Sequence, residues 1–212
     1  MVPGACPWGF TLRAIGPIST LAVFLIGLAA CTHDIPRLGL GGQYEEGKEQ
    51  FLRGLGGDMD KAVVALERVA RENPTYKDTL TLLGRAYYRK ARFEDAHAVL
   101  QRALAVNKND EIAWLVLGAA QLRLNQNDKG LEALRGGITL LSKASKNGYR
   151  DYPIWDSRGA VRGAIQRTAL LMAKGLEAKE EMLSSLNTLL SRVDDEDNYQ
   201  RAETPRRQKR DN

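Results

Sequence analysis

The chain has 212 residues, of which 43% are hydrophobic and 27% charged, with 31 Lys and Arg against 26 Asp and Glu and a net charge of +5. That length holds one ordinary domain with a targeting segment and a tail, and is short for two full domains. The two charge signs are interleaved, so no single-sign face is obvious from sequence and nucleic-acid binding is not demanded. Cys6 and Cys31 are the two cysteines. Both lie at the N-terminus, so the body of the chain has no internal disulfide and no thiolate metal site.

The first element is an address. After the single cation Arg13 comes an uncharged run from Ala14 to Cys31 with an apolar centre, Leu21 to Leu28. A positive start, a short apolar centre and small residues at its end mark a secretory signal. The run ends Leu28-Ala29-Ala30-Cys31, which resembles the lipobox of bacterial lipoproteins at all four positions. The resemblance implies a signal peptide over 1–30, cleavage after Ala30, and diacylglycerol with further fatty acid such as palmitate on Cys31. Two or more acyl chains hold a protein stably to a bilayer where one does not. Two other readings compete: an uncleaved span, which falls at the short end of the ~20 residues needed and contains Pro17, and a cleaved signal with an ordinary cysteine. Thr32 stands where enterobacterial lipoproteins that stay at the inner membrane have Asp, so the resemblance points to the outer membrane, facing the periplasm. Residues 31–42 are then a tether.

The next hundred residues repeat. Laying Lys77–Asp110 over Glu111–Ala144 aligns Leu80 with Trp114, Leu83-Gly84 with Leu117-Gly118, Leu100 with Leu134, and the small residues Ala96 and Ala103 with Gly130 and Gly137, at a period of 34 residues. Two short antiparallel helices cross closely only where one offers a small side chain, and such a pair cannot bury its apolar face without stacking on others. These positions resemble the tetratricopeptide repeat (TPR) family over 43–141, with units near 43–76, 77–110 and 111–144. The first unit matches in its second helix through Ala62, Leu66, Val69 and Pro74. It matches poorly in its first, where Glu49 and Gln50 replace Leu-Gly and a shifted register is expected.

Beyond the repeats, residues 142–156 form an aromatic loop around a turn at Asn147-Gly148, with Tyr149, Tyr152 and Trp155 closing the core. Apolar residues from Val161 through Leu183, Leu186, Leu190 and Val193 recur in steps of three and four, which is helical spacing. The segment 157–198 is read as a helical cap over the last repeat, with a projecting partner surface as the alternative for the stripe from Leu176 to Val193. Asp194-Asp195-Glu196-Asp197 and the basic run beyond Pro205 lack apolar residues. A disordered charged tail is expected over 199–212.

Little in the sequence supports catalysis. His33 and His97 have no ligand partners at metal-binding spacing, and no phosphate loop, nucleophile elbow or zinc-protease pair is present. The reading is therefore an all-α chain, a short α-solenoid with no enzyme activity, no catalytic or metal site, no cofactor, no small-molecule substrate and no nucleic-acid partner. In the family, ligands lie in the concave groove lined by the first helix of each unit. Residue matching places Leu82, Arg85, Tyr88, Arg89, Leu115, Ala119, Leu122 and Arg123 there. The Lys, Asn and Arg clamp of chaperone-binding relatives is absent, its sites holding Gly47, Phe51, Leu82, Ile112 and Val116. An apolar groove with an arginine edge suits a protein segment of acidic character. The implied function is a lipid-anchored scaffold or adaptor that binds protein partners of the bacterial cell envelope. The alternative is a structural accessory that self-associates, or joins a membrane complex, through its C-terminal helix.

Overall fold

The computed structural model describes residues 39–146, 149, 152 and 154–210. The expected signal peptide, Cys31, most of the 31–42 tether and the Asn147-Gly148 turn lie outside them.

Among the described residues eight helices follow one another: α1 (Leu40–Leu52), α2 (Met59–Glu72), α3 (Thr79–Arg89), α4 (Phe93–Val106), α5 (Glu111–Arg123), α6 (Asn127–Lys146), α7 (Ala160–Ala173) and α8 (Lys179–Arg210). Short 3₁₀ turns at Gly54–Gly56 and Gly175–Ala178 precede α2 and α8. Successive helices pair as α1–α2, α3–α4, α5–α6 and α7–α8, and the first three pairs stack into a solenoid. Among the described residues the β pairing is a single bridge between Tyr149 and Tyr152.

The turns repeat at the same 34-residue period as the core. Inside units two and three, Ala91 and Asn125 take left-handed φ angles of 56° and 59°. The next N–H groups donate back across the helix end, Arg92 to Tyr87 O at 2.9 Å and Gln126 to Gln121 O at 2.8 Å. This is the paired-bond termination that satisfies the last carbonyls of a helix. Between units, the side-chain oxygens of Asn73 and Asn107 accept the N–H of Thr75 and Asn109 at 3.1 and 3.0 Å. The Asn side chain thus sets the reversal from one unit to the next.

Each of the first three helix pairs crosses at a glycine that receives a leucine. A Cβ added to Gly84 would stand 2.5 Å from Leu100 Cγ, and one on Gly118 would stand 2.7 Å from Leu134 Cγ. In the first unit Gly47 takes this part, 2.8 Å from Leu66 Cγ. The crossing therefore sits three residues earlier than the 34-residue period predicts, and the extra residues are taken up by the 3₁₀ turn at Gly54–Gly56. That offset is the physical reason Glu49 and Gln50 fail to match.

Under the same offset Tyr44 corresponds to Thr81, and both reach forward to the residue at the N-cap position of the next unit. The Tyr44 hydroxyl donates to Asp78 and the Thr81 hydroxyl to Asp110, the latter at 2.6 Å. Asp110 also accepts the N–H of Ala113 at 2.8 Å, capping α5.

The C-terminal region departs from expectation at its charged end. Helix α8 runs through Asp194–Asp197 to Arg210, and Glu196, Asp197 and Gln200 are buried. These groups have partners that sequence spacing does not reveal. Glu196 accepts the backbone N–H of Asp156 at 3.0 Å and the amide of Gln200 at 2.7 Å, and Gln200 also donates to Ile154 O at 2.6 Å. A paired and hydrogen-bonded charge tolerates burial where a lone one does not.

Candidate functional site

Helices α3 and α5 are the first helices of units two and three, and in an open solenoid each would show one face to the groove. Instead Thr79 to Tyr87 and Leu115 to Leu122 are buried without a break. A helix buried on every face is enclosed by neighbours. The neighbour on the groove side is α8, which packs on α7 and also on α5.

Among the groove residues expected from sequence, Leu82, Leu115, Ala119 and Leu122 are buried in the core. The polar ones converge. Arg85 and Arg89 are one turn apart on α3 and share a face. Arg85 donates to Asp194 of α8 at 2.6 Å and Arg89 approaches the same carboxylate at 3.4 Å. The pair is well enclosed, with Arg85 and Asp194 side chains 8% and 14% exposed. Both guanidiniums lie over the buried ring of Phe51, Arg89 at 3.9 Å and Arg85 at 4.7 Å from its centre. Arg89 also donates to Phe51 O at 2.9 Å. Burial, followed by the neighbouring charge of Arg85, lowers the Arg89 guanidinium to about 10.

The third arginine marks the other end of the contact. Arg123 of α5 meets both carboxylate oxygens of Glu180 at 3.0 and 3.1 Å. Glu180 is 72% exposed, so this bridge is weak beside the Arg85 pair. Tyr88 rests near Phe93, ring centres 5.5 Å apart, and burial raises its phenol against the opposing influence of Arg123. Between α8 and the repeats a cleft of about 470 Å³ stays open, lined by Arg85, Tyr88, Arg89, Ala91, Phe93, Val116, Arg123, Asn187 and Leu190.

The structure thus brings Arg85, Tyr88, Arg89 and Arg123 to one cleft. Sequence matching missed the groups of α8 that face them: Asp194, Glu180 and Asn187. A signal was present, because Asp194 follows directly on the stripe Met182, Leu183, Leu186, Leu190 and Val193. All five stripe residues are buried within the chain, so this stripe offers no free face to a second copy.

A second cleft of about 910 Å³ opens at the inter-unit edge, lined by Tyr44, Lys77, Asp78, Thr81, Asp110, Glu111 and Tyr149 among others. Its carboxylates belong to the inter-unit contacts: Asp78 accepts from Tyr44, Asp110 from Thr81 and Glu111 from Tyr149. Lys77 donates to Glu45 at 2.9 Å, which raises its ammonium pKa, and lies 4.4 Å above the Tyr44 ring. Among the described residues no group of three or more His, Cys, Asp or Glu is placed to hold a metal ion. No helix among them is long and apolar enough to cross a membrane.

Residues 56–119 match the tetratricopeptide repeat family model. The match runs from the end of the first unit's turn through unit two and most of α5. That stretch is therefore similar to the tetratricopeptide repeat, in line with the 34-residue spacing. No curated protein matches the chain. A solved structure described as "Crystal structure of MamA" is 18% identical, with a TM-score of 0.47 over 84% of this chain and 90% of that one.

Proposed function

We propose that this chain is a non-catalytic adaptor of the bacterial cell envelope, held to the membrane by lipid on Cys31 and binding protein partners through the groove of its repeats. The anchor rests on the Leu28-Ala29-Ala30-Cys31 sequence. Thr32 after the cysteine favours the outer membrane. The observation that carries the binding role is the convergence of Arg85, Arg89 and Arg123 around a cleft with Tyr88 and Phe93. Guanidiniums beside aromatic and aliphatic surface suit an acidic amphipathic segment, since Arg pairs with carboxylates through a planar fork and stacks on rings.

One experiment tests both halves. Tagged protein is expressed with radiolabelled palmitate, cross-linked in intact cells and recovered from the membrane fraction. The wild type is expected to carry label and to cross-link to a discrete partner. Cys31→Ser is expected to lose the label, and Arg89→Glu with Arg123→Glu to keep the label and lose the partner. Label that survives Cys31→Ser refutes the anchor. A partner that survives both charge reversals refutes the groove.

A further inference from the structure

The groove is already occupied by a helix of this chain, and the manner of occupation describes what else would fit. Helix α8 meets the repeats through two carboxylates, Glu180 on Arg123 of unit three and Asp194 on Arg85 and Arg89 of unit two, while its Lys179 donates to Asn125 at 3.1 Å. The two carboxylates are 14 residues apart on one helix, which is about 21 Å or roughly four turns. Between them run the leucines of the buried stripe. The enclosed Asp194 contact, aided by the weaker and exposed Glu180 bridge, therefore favours one register and direction for a helix lying across the two units.

As a filler α8 is incomplete. It leaves the cleft of about 470 Å³ on its groove side, which α8 lines with the polar Asn187 beside Leu190. Its single carboxylate at Asp194 serves two guanidiniums. It is joined to α7 through Gly175, whose φ of 74° lies in the left-handed region that favours glycine, and a short 3₁₀ turn. A helix with a second carboxylate near the Arg89 position and a larger apolar residue at the Asn187 position would satisfy this groove better than α8 does.

We infer that the groove is selective for an amphipathic helix bearing two carboxylates about four turns apart on either side of a leucine stripe, and that α8 holds that place as the protein's own ligand until such a partner displaces it. The inference rests on the groove reading above and adds the partner class and its regulation. Binding of an external helix costs the release of α8, so measured affinity is the intrinsic affinity reduced by the fraction of molecules with α8 out.

The test uses the full chain and a fluorescent peptide of residues 179–200 as the probe, read by anisotropy. Glu180→Arg with Asp194→Arg leaves the groove arginines intact and repels α8. The full chain with these changes is expected to bind the peptide at least tenfold more tightly than the wild type, with faster amide exchange over residues 180–195. The milder Glu180→Gln with Asp194→Asn is expected to show both effects to a lesser degree, and circular dichroism checks that the repeats stay helical. Adding Arg85→Glu and Arg123→Glu should abolish the gain. If α8 amides stay as protected as in the wild type in both variants, the ion pairs do not hold the helix and the inference is overturned. If the amides open and the peptide binds no better, the groove does not take helices, and the groove reading itself falls.

Discussion

Gly118→Ala tests the close crossing on which the solenoid depends. An added Cβ would lie 2.7 Å from Leu134 Cγ and 2.8 Å from the backbone oxygen of Gly130, both far inside ordinary van der Waals contact. Leu134 can turn, but the Gly130 carbonyl is part of α6, so relief requires α5 and α6 to move apart. Overpacking of this kind costs about 1–3 kcal/mol, with the upper end apt for a backbone clash. Alanine in place of glycine inside a helix returns about 1 kcal/mol. The expected net loss is about 2 kcal/mol, which at a urea slope of about 2 kcal/mol/M moves the midpoint down by about 1 M. Gly136→Ala in α6, where an added Cβ meets nothing within 4 Å, isolates the propensity term and should raise stability by about 1 kcal/mol. Gly84→Ala falls between them, because the nearest atoms to its Cβ all belong to the Leu100 side chain. Urea unfolding followed by circular dichroism ranks the three. A Gly118→Ala protein as stable as the Gly136→Ala protein would refute the close-crossing argument.

Two further outcomes follow from buried polar groups. Asp156 caps α7 by accepting the N–H of Val161 and Arg162 at 2.9 and 2.8 Å from an almost wholly buried position, so Asp156→Ala should cost about 2 kcal/mol in thermal unfolding and speed amide exchange at Val161 and Arg162, whereas unchanged exchange there would count against the cap. Burial, and then its hydrogen bond to Glu67, push the Tyr87 phenol up to about 12; because the neutral form is the one favoured in the fold, this stabilisation is complete below pH 10 and is lost as pH rises toward 12. Ultraviolet titration should show a late-ionising tyrosine fraction that shrinks by one residue in Tyr87→Phe, and a stability slope over pH 10–12 that flattens in the same variant.

Units two and three were legible in sequence because their crossings, turns and core leucines all obey one period, so that Gly84 with Leu100 and Gly118 with Leu134 appear as the same sentence written twice. Unit one follows the same packing rule with Gly47 and Leu66, yet a three-residue insertion displaces its first helix, and a fixed-period comparison sees Glu49 and Gln50 instead. The inward placement of Arg85, Arg89 and Arg123 could be read from helix geometry. Whether the groove was open could not, because that depends on Asp194, more than a hundred residues away. Local pattern also misjudged Asp194 to Asp197: a run of acids looks solvated until the cations and N–H groups across the fold are known, and here Arg85, Arg89 and the Asp156 backbone supply them.

The Arg85–Asp194 contact joins residues 109 positions apart, and it changes how this solenoid is put together. A simple repeat array is a chain of nearest neighbours that can grow from one end and fray from either. Here the last helix returns to the second unit and ties the array into a loop, which raises the sequence separation that folding must bridge. While the polypeptide is being made or moved, the guanidinium cluster over Phe51 has no counter-charge until α8 arrives. The groove of the repeats is thus covered, and its guanidiniums neutralised, only once α8 has been made and has docked.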